Sequence, residues 1–196
     1  MSAGAASNDS RTLIGAALWR RLDTPGHDAC TLEQLENGWR LEGAAVFLAH
    51  GAPVRLTYTV ACAPSWITLH GEVRGWYGER RMHVVVERGD RGVWSLNGTM
   101  LPHLEPYLDL DLGFTPATNL TQIRRIQLRE GESAEVPVAW LDPDTGTLSA
   151  LPQTYARRSA DAYWYEAPTV GYRGLLELDA TGFIRRYPGL WESALG

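Results

Sequence analysis

The sequence predicts an all-β protein: a single elongated antiparallel β-barrel or half-barrel with about 12 or more strands and little helix. Turn signals recur roughly every 8–14 residues along the chain, a spacing typical of sandwiches and barrels. Polar and apolar residues alternate within runs such as VRLTYTVAC at 54–62, which is the period of a strand. No segment shows a sustained helical spacing of apolar residues, so we expect at most a short helix.

The strand-like runs follow one another in order, separated by turn residues. Asn37-Gly38 predicts a hairpin between residues 31–36 and 39–48, although Thr31 and Gln34 could instead begin a helix with a capping pattern. The strand-like run after Gly38 favours the hairpin, and Asn97-Gly98 predicts a second tight turn. The other strand-like runs are 54–62, 66–77, 80–88, 93–96, 108–112, 123–128, 134–141, 148–158, 162–167, 172–179 and 183–191.

The domain organisation is simple. A chain of 196 residues is long enough for one sizeable core, and it contains neither an internal repeat nor a linker that would divide it. Residues 1–10 are small and polar, so we expect a disordered tail there, followed by a single barrel-like domain over 11–196.

Charge and targeting patterns exclude several classes of protein. A formal net charge of −5 argues against a nucleic-acid partner. No apolar run approaches the roughly 20 residues of a membrane helix, and the N-terminus lacks the basic and apolar regions of a secretory signal. We therefore expect a cytoplasmic location with reduced Cys30 and Cys62, unless the two are adjacent in space and form a disulfide. The sequence does not predict an oligomeric state.

The most informative stretch is YLDLDLGFTPATNLTQIRRI at 107–126. On a strand, Asp109 and Asp111 lie on the same face, with Cα atoms about 6–7 Å apart, opposite three leucines. After a turn, Arg124 and Arg125 fall in a second β-like run, which would bring acidic and basic pairs together if the two strands pair.

These charged residues permit a functional and a structural interpretation. The two aspartates could bind sugar hydroxyls or act as an acid–base pair, but we favour ion pairs with Arg124 or Arg125 that fix the strands. Arg124 is predicted to be the better buried partner because it shares a strand face with apolar residues. Thr118 and Asn119 are expected to bond turn backbone groups, or to contribute to a ligand site beside the charges.

Tryptophan is unusually frequent, with eight residues in the chain. Such side chains fill wide β interiors, and they also line hydrophobic grooves that bind amphipathic or sugar ligands. The histidines have no metal-ligand spacing, and we find no nucleophile elbow and no glycine-rich phosphate loop, so we predict no metal, no cofactor and no catalytic residues. The tryptophans of the strand-like runs are Trp39, Trp66, Trp76, Trp94, Trp140 and Trp164.

Several segments together resemble the bacterial putative glycolipid-binding family. They are WRRLDTPGHDACTLEQLENGWRLEG, LDLDLGFTPATN with the following IRRI, GESAEVPVAWL and the terminal YPGLW, in that order, from about Leu18 to Trp191. The resemblance implies a spindly, elongated β-barrel similar in shape to periplasmic lipoprotein carriers, and it implies no catalytic residues. The matched positions of the central motif are Asp109, Asp111, Thr115, Pro116, Thr118, Asn119, Arg124 and Arg125.

Three functions are compatible with these observations. The first is non-catalytic binding of an amphipathic lipid, of which a glycolipid is one class, with the acyl part among inward aromatics and the head group near residues 109–125. The candidate contacts are the charged and turn residues of this stretch together with Trp39, Trp66, Trp94, Trp140 and Trp164. The second is a small-molecule enzyme that uses the carboxylates and arginines in a barrel mouth. The third is a structural or protein-interaction module with a filled core and an apolar surface patch.

Overall fold

The computed structural model describes residues 11–195, which form two β-sheets and one α-helix. The tail predicted at residues 1–10 lies outside the described residues. The helix is α1 (Asn119–Ile126), and single 3₁₀ turns span Pro102–Leu104 and Pro168–Val170. The strands are β1 (Thr12–Arg21), β2 (Gly26–Leu35), β3 (Gly38–Ala49), β4 (Ala52–Cys62), β5 (Thr68–Tyr77), β6 (Arg80–Arg88), β7 (Trp94–Leu96), β8 (Thr99–Leu101), β9 (Leu110–Leu112), β10 (Ser133–Glu135), β11 (Val138–Asp142), β12 (Thr147–Leu151), β13 (Thr154–Ser159), β14 (Ala162–Ala167), β15 (Tyr172–Leu178), β16 (Ile184–Tyr187) and β17 (Trp191–Ser193).

The large sheet contains 14 antiparallel strands in the order β10-β13-β14-β15-β16-β17-β1-β2-β3-β4-β5-β6-β7-β8. Its end strands β10 and β8 do not pair with each other, so the sheet curves into a half-barrel and leaves one side open. The predicted all-β class and the half-barrel are confirmed.

A second sheet was not predicted. It contains β12, β11 and β9 in that order, and β9 runs parallel to β11. The predicted run 108–112 lies in this second sheet, and the predicted runs 134–141 and 148–158 are each divided between the two sheets. Leu110, Asp111 and Leu112 are all buried, because this short sheet lies inside the half-barrel instead of presenting one face to solvent.

The two predicted hairpins are present. At the second, Asn97 and Gly98 both adopt positive φ, of 49° and 80°, as the tight hairpin turn requires, and Leu96 pairs with Thr99. At the first, Leu35 pairs directly with Gly38, so the two-residue turn lies one position earlier than the Asn-Gly pair. The helical alternative at residues 31–34 is excluded, since they lie on β2.

The strand predicted at 123–128 is wrong, because residues 119–126 form helix α1. Leu120 and Ile123 are three positions apart and both buried, which is a helical spacing. The helix has only eight residues, so its apolar pattern is too short to stand out in the sequence. It ends where Gln127 adopts a left-handed conformation, with φ 46°.

Helix α1 and the second sheet fill the interior of the half-barrel. Leu110 of β9 packs so closely on Gly71 of β5 that a Cβ atom there would lie 2.3 Å from its Cδ2 atom. Leu110 N–H also donates to Thr68 Oγ1 over 3.1 Å. Several large aromatic side chains are completely or almost completely buried around them: Trp19, Trp94, Tyr58, Tyr155, Phe114 and Phe183.

Cys30 and Cys62 are both buried and both free. The disulfide left open by the sequence does not form. Within residues 11–195, no helix has the length and apolarity required to cross a bilayer.

Candidate functional site

The buried centre of the molecule contains an ion pair between Asp109 and Arg125. Arg125 donates from Nε to Asp109 Oδ1 over 2.9 Å and from Nη2 to Oδ2 over 2.7 Å. The pair joins helix α1 to the residue before β9, and Asp109 is fully buried. Burial raises the pKa of Asp109, while the hydrogen bonds and charge of Arg125 oppose that rise. The predicted structural ion pair is therefore confirmed for Asp109.

The predicted choice of arginine was wrong. Successive side chains on a helix point about 100° apart, so Arg124 and Arg125 face different surroundings. Arg125 turns towards Asp109, whereas Arg124 turns away and donates from Nη2 to the Thr181 carbonyl. A strand at this position would have pointed Arg124 into the interior, whereas the helix points Arg125 there instead.

Asp111 has no arginine partner among the described residues. Gln153 Nε2 donates to its Oδ2 atom over 2.6 Å. Burial raises the pKa of Asp111 to about 6, against the opposing hydrogen bond from Gln153. The buried carboxyl group of Asp111 therefore holds its proton to a higher pH than an ordinary aspartate does.

A third buried carboxyl group, Asp28, was missed by the sequence analysis. Tyr58 O–H lies 3.0 Å from Asp28 Oδ2, and Thr115 Oγ1 donates to the same oxygen. Burial raises the pKa of Asp28 to about 7 although both hydrogen bonds lower it. Strand alternation could have revealed it, since Asp28 occupies the same inward face of β2 as Cys30.

An open recess at the C-terminal end of helix α1, here called the Trp cleft, has a volume of about 510 Å³. That volume lies within the range of roughly 300–1,000 Å³ typical of small-molecule sites. Two predicted tryptophans and one predicted arginine meet here. The cleft is lined by Ile14, Leu32, Trp39, Trp66, Ile123, Arg124, Gln127, Arg157, Ala160, Tyr163, Leu178, Asp179, Ala180 and Gly182.

Trp39 and Trp66 form a stacked pair on one wall of the Trp cleft. Their ring centroids lie 4.3 Å apart and the rings are 12° from parallel. Trp66 has φ 69°, a left-handed conformation that a bulky residue rarely adopts. The turn that imposes it is closed by hydrogen bonds from Trp66 N–H to the Ala63 carbonyl and from Ala63 N–H to the Ile67 carbonyl. The backbone of Trp66 is thus strained, and in this conformation its ring stacks on Trp39.

A smaller recess, here called the tyrosine pocket, lies at the N-terminal end of helix α1 and has a volume of about 250 Å³. Asp111 and Asn119 contribute polar groups to it, and Trp140 contributes an aromatic edge. Three of the predicted residues are therefore brought together here. The lining residues are Asp111, Leu112, Gly113, Thr115, Asn119, Trp140, Leu151, Tyr165, Val170, Tyr172, Tyr187, Leu190 and Trp191.

The remaining predicted residues lie away from both recesses. Thr118 is fully buried, and its Oγ1 atom accepts a hydrogen bond from Leu112 N–H over 3.3 Å, as expected of a turn residue. Trp94 is fully buried and donates from Nε1 to the Tyr107 carbonyl over 3.0 Å. Trp164 is half-buried on β14 and donates to Glu166. None of these three lines the Trp cleft or the tyrosine pocket.

Two further features bear on possible ligands. A broad groove of about 570 Å³ crosses the outer face of β2–β5, and its walls carry threonine and glutamate side chains such as Glu42 and Glu72 but no tryptophan. In the part of the chain that the structure describes, no three His, Cys, Asp or Glu side chains converge as a metal site would require.

Comparison with protein families gives a single clear result. A family model described as "Putative glycolipid-binding" matches residues 16–193. The chain belongs to this family. Comparison with curated proteins gave no significant match.

The fold of this chain also occurs in a solved crystal structure. The chain is similar to a DUF1089 family protein from Pseudomonas aeruginosa, whose crystal structure superposes with a TM-score of 0.74 at 23% sequence identity. The match covers 98% of each chain. At this identity the likeness establishes the common fold.

The Asp109–Arg125 pair yields a stability prediction. Asp109→Asn should lower the free energy of unfolding by roughly 3–5 kcal/mol, because it leaves the Arg125 charge partly buried without a partner. Urea unfolding followed by circular dichroism measures this change.

Glu192→Gln is the matched control, since it breaks the exposed ion pair with Arg20. Its expected effect is below about 1 kcal/mol. Equal losses in the two variants would contradict a structural role for the buried pair.

The raised pKa of Asp28 yields a pH prediction. Its folded pKa of about 7 exceeds the ordinary value of 3.8, so the folded state retains a proton that the unfolded state releases. The contribution of Asp28 to the free energy of unfolding is therefore greatest in acid, and it is lost as pH rises from about 4 to about 7. The free energy of unfolding should fall more steeply over that range in the wild type than in Asp28→Asn.

Chemical unfolding at several pH values between about 4 and 8 tests this slope. Asp90→Asn, at an exposed loop position, should keep the wild-type slope. An unchanged slope in Asp28→Asn would show that Asp28 does not retain its proton on folding.

Proposed function

We propose that the protein binds an amphipathic lipid without catalysing a reaction, and that its principal site is the Trp cleft. The observation that carries this proposal is the stacked Trp39–Trp66 pair, held in an open cleft beside apolar side chains such as Ile123. Aromatic rings with adjacent apolar walls and a few polar groups are the usual lining of ligand sites. The family description agrees with a glycolipid as the ligand class.

The position of the ligand differs from the one expected from sequence. An acyl chain cannot lie along the centre of the half-barrel, because helix α1 and the second sheet occupy it. The head group is likewise not expected beside Asp109 and Arg125, which bond each other. The proposal therefore assigns both parts of the ligand to the Trp cleft, at the edge of the filled core.

The energetics favour a ligand with both apolar and polar contacts. Burying one methylene group contributes about 0.8 kcal/mol, so about ten of them contribute roughly 8 kcal/mol. Association itself costs about 4–15 kcal/mol in lost freedom of motion. Apolar burial alone thus gives weak binding at best, and stable binding requires polar contacts as well.

Trp66→Ala should weaken binding of bacterial lipid at least tenfold, which corresponds to about 1.4 kcal/mol. The reason is that it removes one ring of the stacked pair and the wall it forms. Native mass spectrometry of detergent-free protein, incubated with total bacterial lipid and then extracted, measures occupancy and identifies the lipid class.

Trp164→Ala is the control, because Trp164 lies outside the cleft. It should bind lipid as the wild type does. A wild-type protein that takes up no lipid, or a Trp66→Ala variant with full occupancy, would refute the proposed site.

A second candidate function, a small-molecule enzyme, is supported by Asp111. Its pKa of about 6 suits a general acid or base near neutral pH, and it lines the tyrosine pocket. The pocket is smaller than most ligand sites, and the family description names binding rather than catalysis, so we place this function second.

The enzyme hypothesis predicts that Asp111→Asn abolishes turnover while leaving lipid binding in the Trp cleft unchanged. A panel of p-nitrophenyl esters, glycosides and phosphates, assayed between about pH 5 and 8, provides the measurement. Absence of turnover by the wild type across the panel would count against the enzyme, and turnover retained in Asp111→Asn would exclude Asp111 as its catalyst.

A further inference from the structure

Arg124 is the charged group of the Trp cleft whose hydrogen-bonding capacity is least used. A guanidinium carries five N–H donors. One of them bonds the Thr181 carbonyl, while Nε is buried and has no acceptor among the described residues. The Arg124 guanidinium also lies over the Trp66 ring, 6.0 Å from its centroid.

The other charged groups facing the cleft are already engaged. Arg157 donates to three backbone carbonyls, those of Leu128, Ser159 and Ala160, at 2.8–3.0 Å. Asp179 Oδ1 accepts hydrogen bonds from Thr181 N–H and Oγ1 and from Phe183 N–H. These contacts fix Arg157 of β13 on neighbouring carbonyls and Asp179 in its own turn, and they leave Arg124 as the group able to bind a ligand.

The charge of the cleft is not balanced. Two guanidinium groups and one carboxylate line it, which leaves one net positive charge. Within residues 11–195, neither Arg124 nor Arg157 has a carboxylate oxygen within 4.0 Å. A partly buried cation without a counter-charge is costly, and an anion in the cleft would supply both the charge and the missing acceptors.

The backbone beside Arg124 keeps this space open. Gly182 has φ +93°, and a Cβ atom there would lie 3.2 Å from Arg124 Nε. A side chain at residue 182 would thus press on the guanidinium as well as strain the turn. Glycine here leaves the cleft surface beside the charge unobstructed.

We infer that the Trp cleft binds an anionic amphiphile, whose phosphate or carboxylate head group pairs with Arg124 while its apolar chain packs on Trp66 and Ile123. The inference rests on the proposed lipid-binding function and names its ligand class. Charge and forked geometry make the arginine suited to phosphate and carboxylate oxygens. An uncharged sugar head group would leave the Arg124 charge without a partner.

Isothermal titration calorimetry of the full chain with three probes tests this inference. The probes are dodecyl phosphate, dodecyl maltoside and inorganic phosphate, with both amphiphiles below their critical micelle concentrations. The wild type should bind dodecyl phosphate roughly tenfold or more tighter than dodecyl maltoside, since hydrogen bonds to charged groups contribute about that factor. Inorganic phosphate should bind more weakly than dodecyl phosphate because it lacks the chain.

Arg124→Gln should lower the affinity for dodecyl phosphate roughly tenfold or more and the affinity for dodecyl maltoside by much less, so that the preference for dodecyl phosphate is lost. Arg158→Gln is the matched control, because it removes an exposed arginine outside the cleft and should keep the preference. Arg124→Lys keeps the charge without the fork and should retain part of the preference, so it tests the inference even if Arg124→Gln unfolds. Thermal unfolding of each variant identifies loss of structure.

The outcomes separate the inference from the proposed function. Equal wild-type affinity for the two amphiphiles would overturn the inference that the head group is anionic, and it would leave the proposed lipid binding intact. Binding of neither amphiphile would overturn the proposed function and the inference together. If the wild type bound inorganic phosphate as tightly as dodecyl phosphate and Arg124→Gln lost that binding, the apolar chain would contribute nothing. That result would overturn the amphiphile as the ligand class and leave a site for free anions.

Discussion

The bidentate ion pair between Arg125 and Asp109 is the interaction on which the interior depends. A half-barrel open on one side exposes its inner face unless other elements cover it, and here helix α1 and the short second sheet do so. Both bring polar groups into a dry space, where an unpaired charge is severely destabilising. The pair joins these two elements to each other and neutralises both charges, so that the apolar side chains around them can pack.

The filled interior determines where a ligand can bind. Because the centre is occupied, the recesses adjacent to α1 lie at its two ends: the Trp cleft beside Ile123 and Arg124, and the tyrosine pocket beside Asn119. Helix geometry separates them by about 12 Å for eight residues. The same short helix thus contributes Arg125 to the core and Arg124 to the cleft, and neighbouring residues of one motif have different roles.

The strained backbone at Trp66 and the Arg124 guanidinium beside Gly182, which has no carboxylate partner within residues 11–195, lie on the same recess. Each is unfavourable for folding taken alone, since a bulky residue at positive φ and a partly buried cation without a counter-ion both cost free energy. Local costs of this kind are common at binding sites, where a ligand supplies the missing contacts. Their coincidence is a physical argument for function that is independent of the family description.

The sequence by itself determined the all-β class, the hairpins and the family, because strand alternation and turn residues act over a few neighbouring positions. It also predicted that Asp109 pairs with an arginine of the following segment. It did not reveal the helix at 119–126, since eight residues carry too little apolar periodicity and the helix is stabilised by burial between the sheets. Only the tertiary structure decided that Arg125 is the partner, because the helix turns Arg125 instead of Arg124 towards Asp109. It alone also brought Trp39, Trp66 and Arg124 together, because these residues lie far apart in the chain.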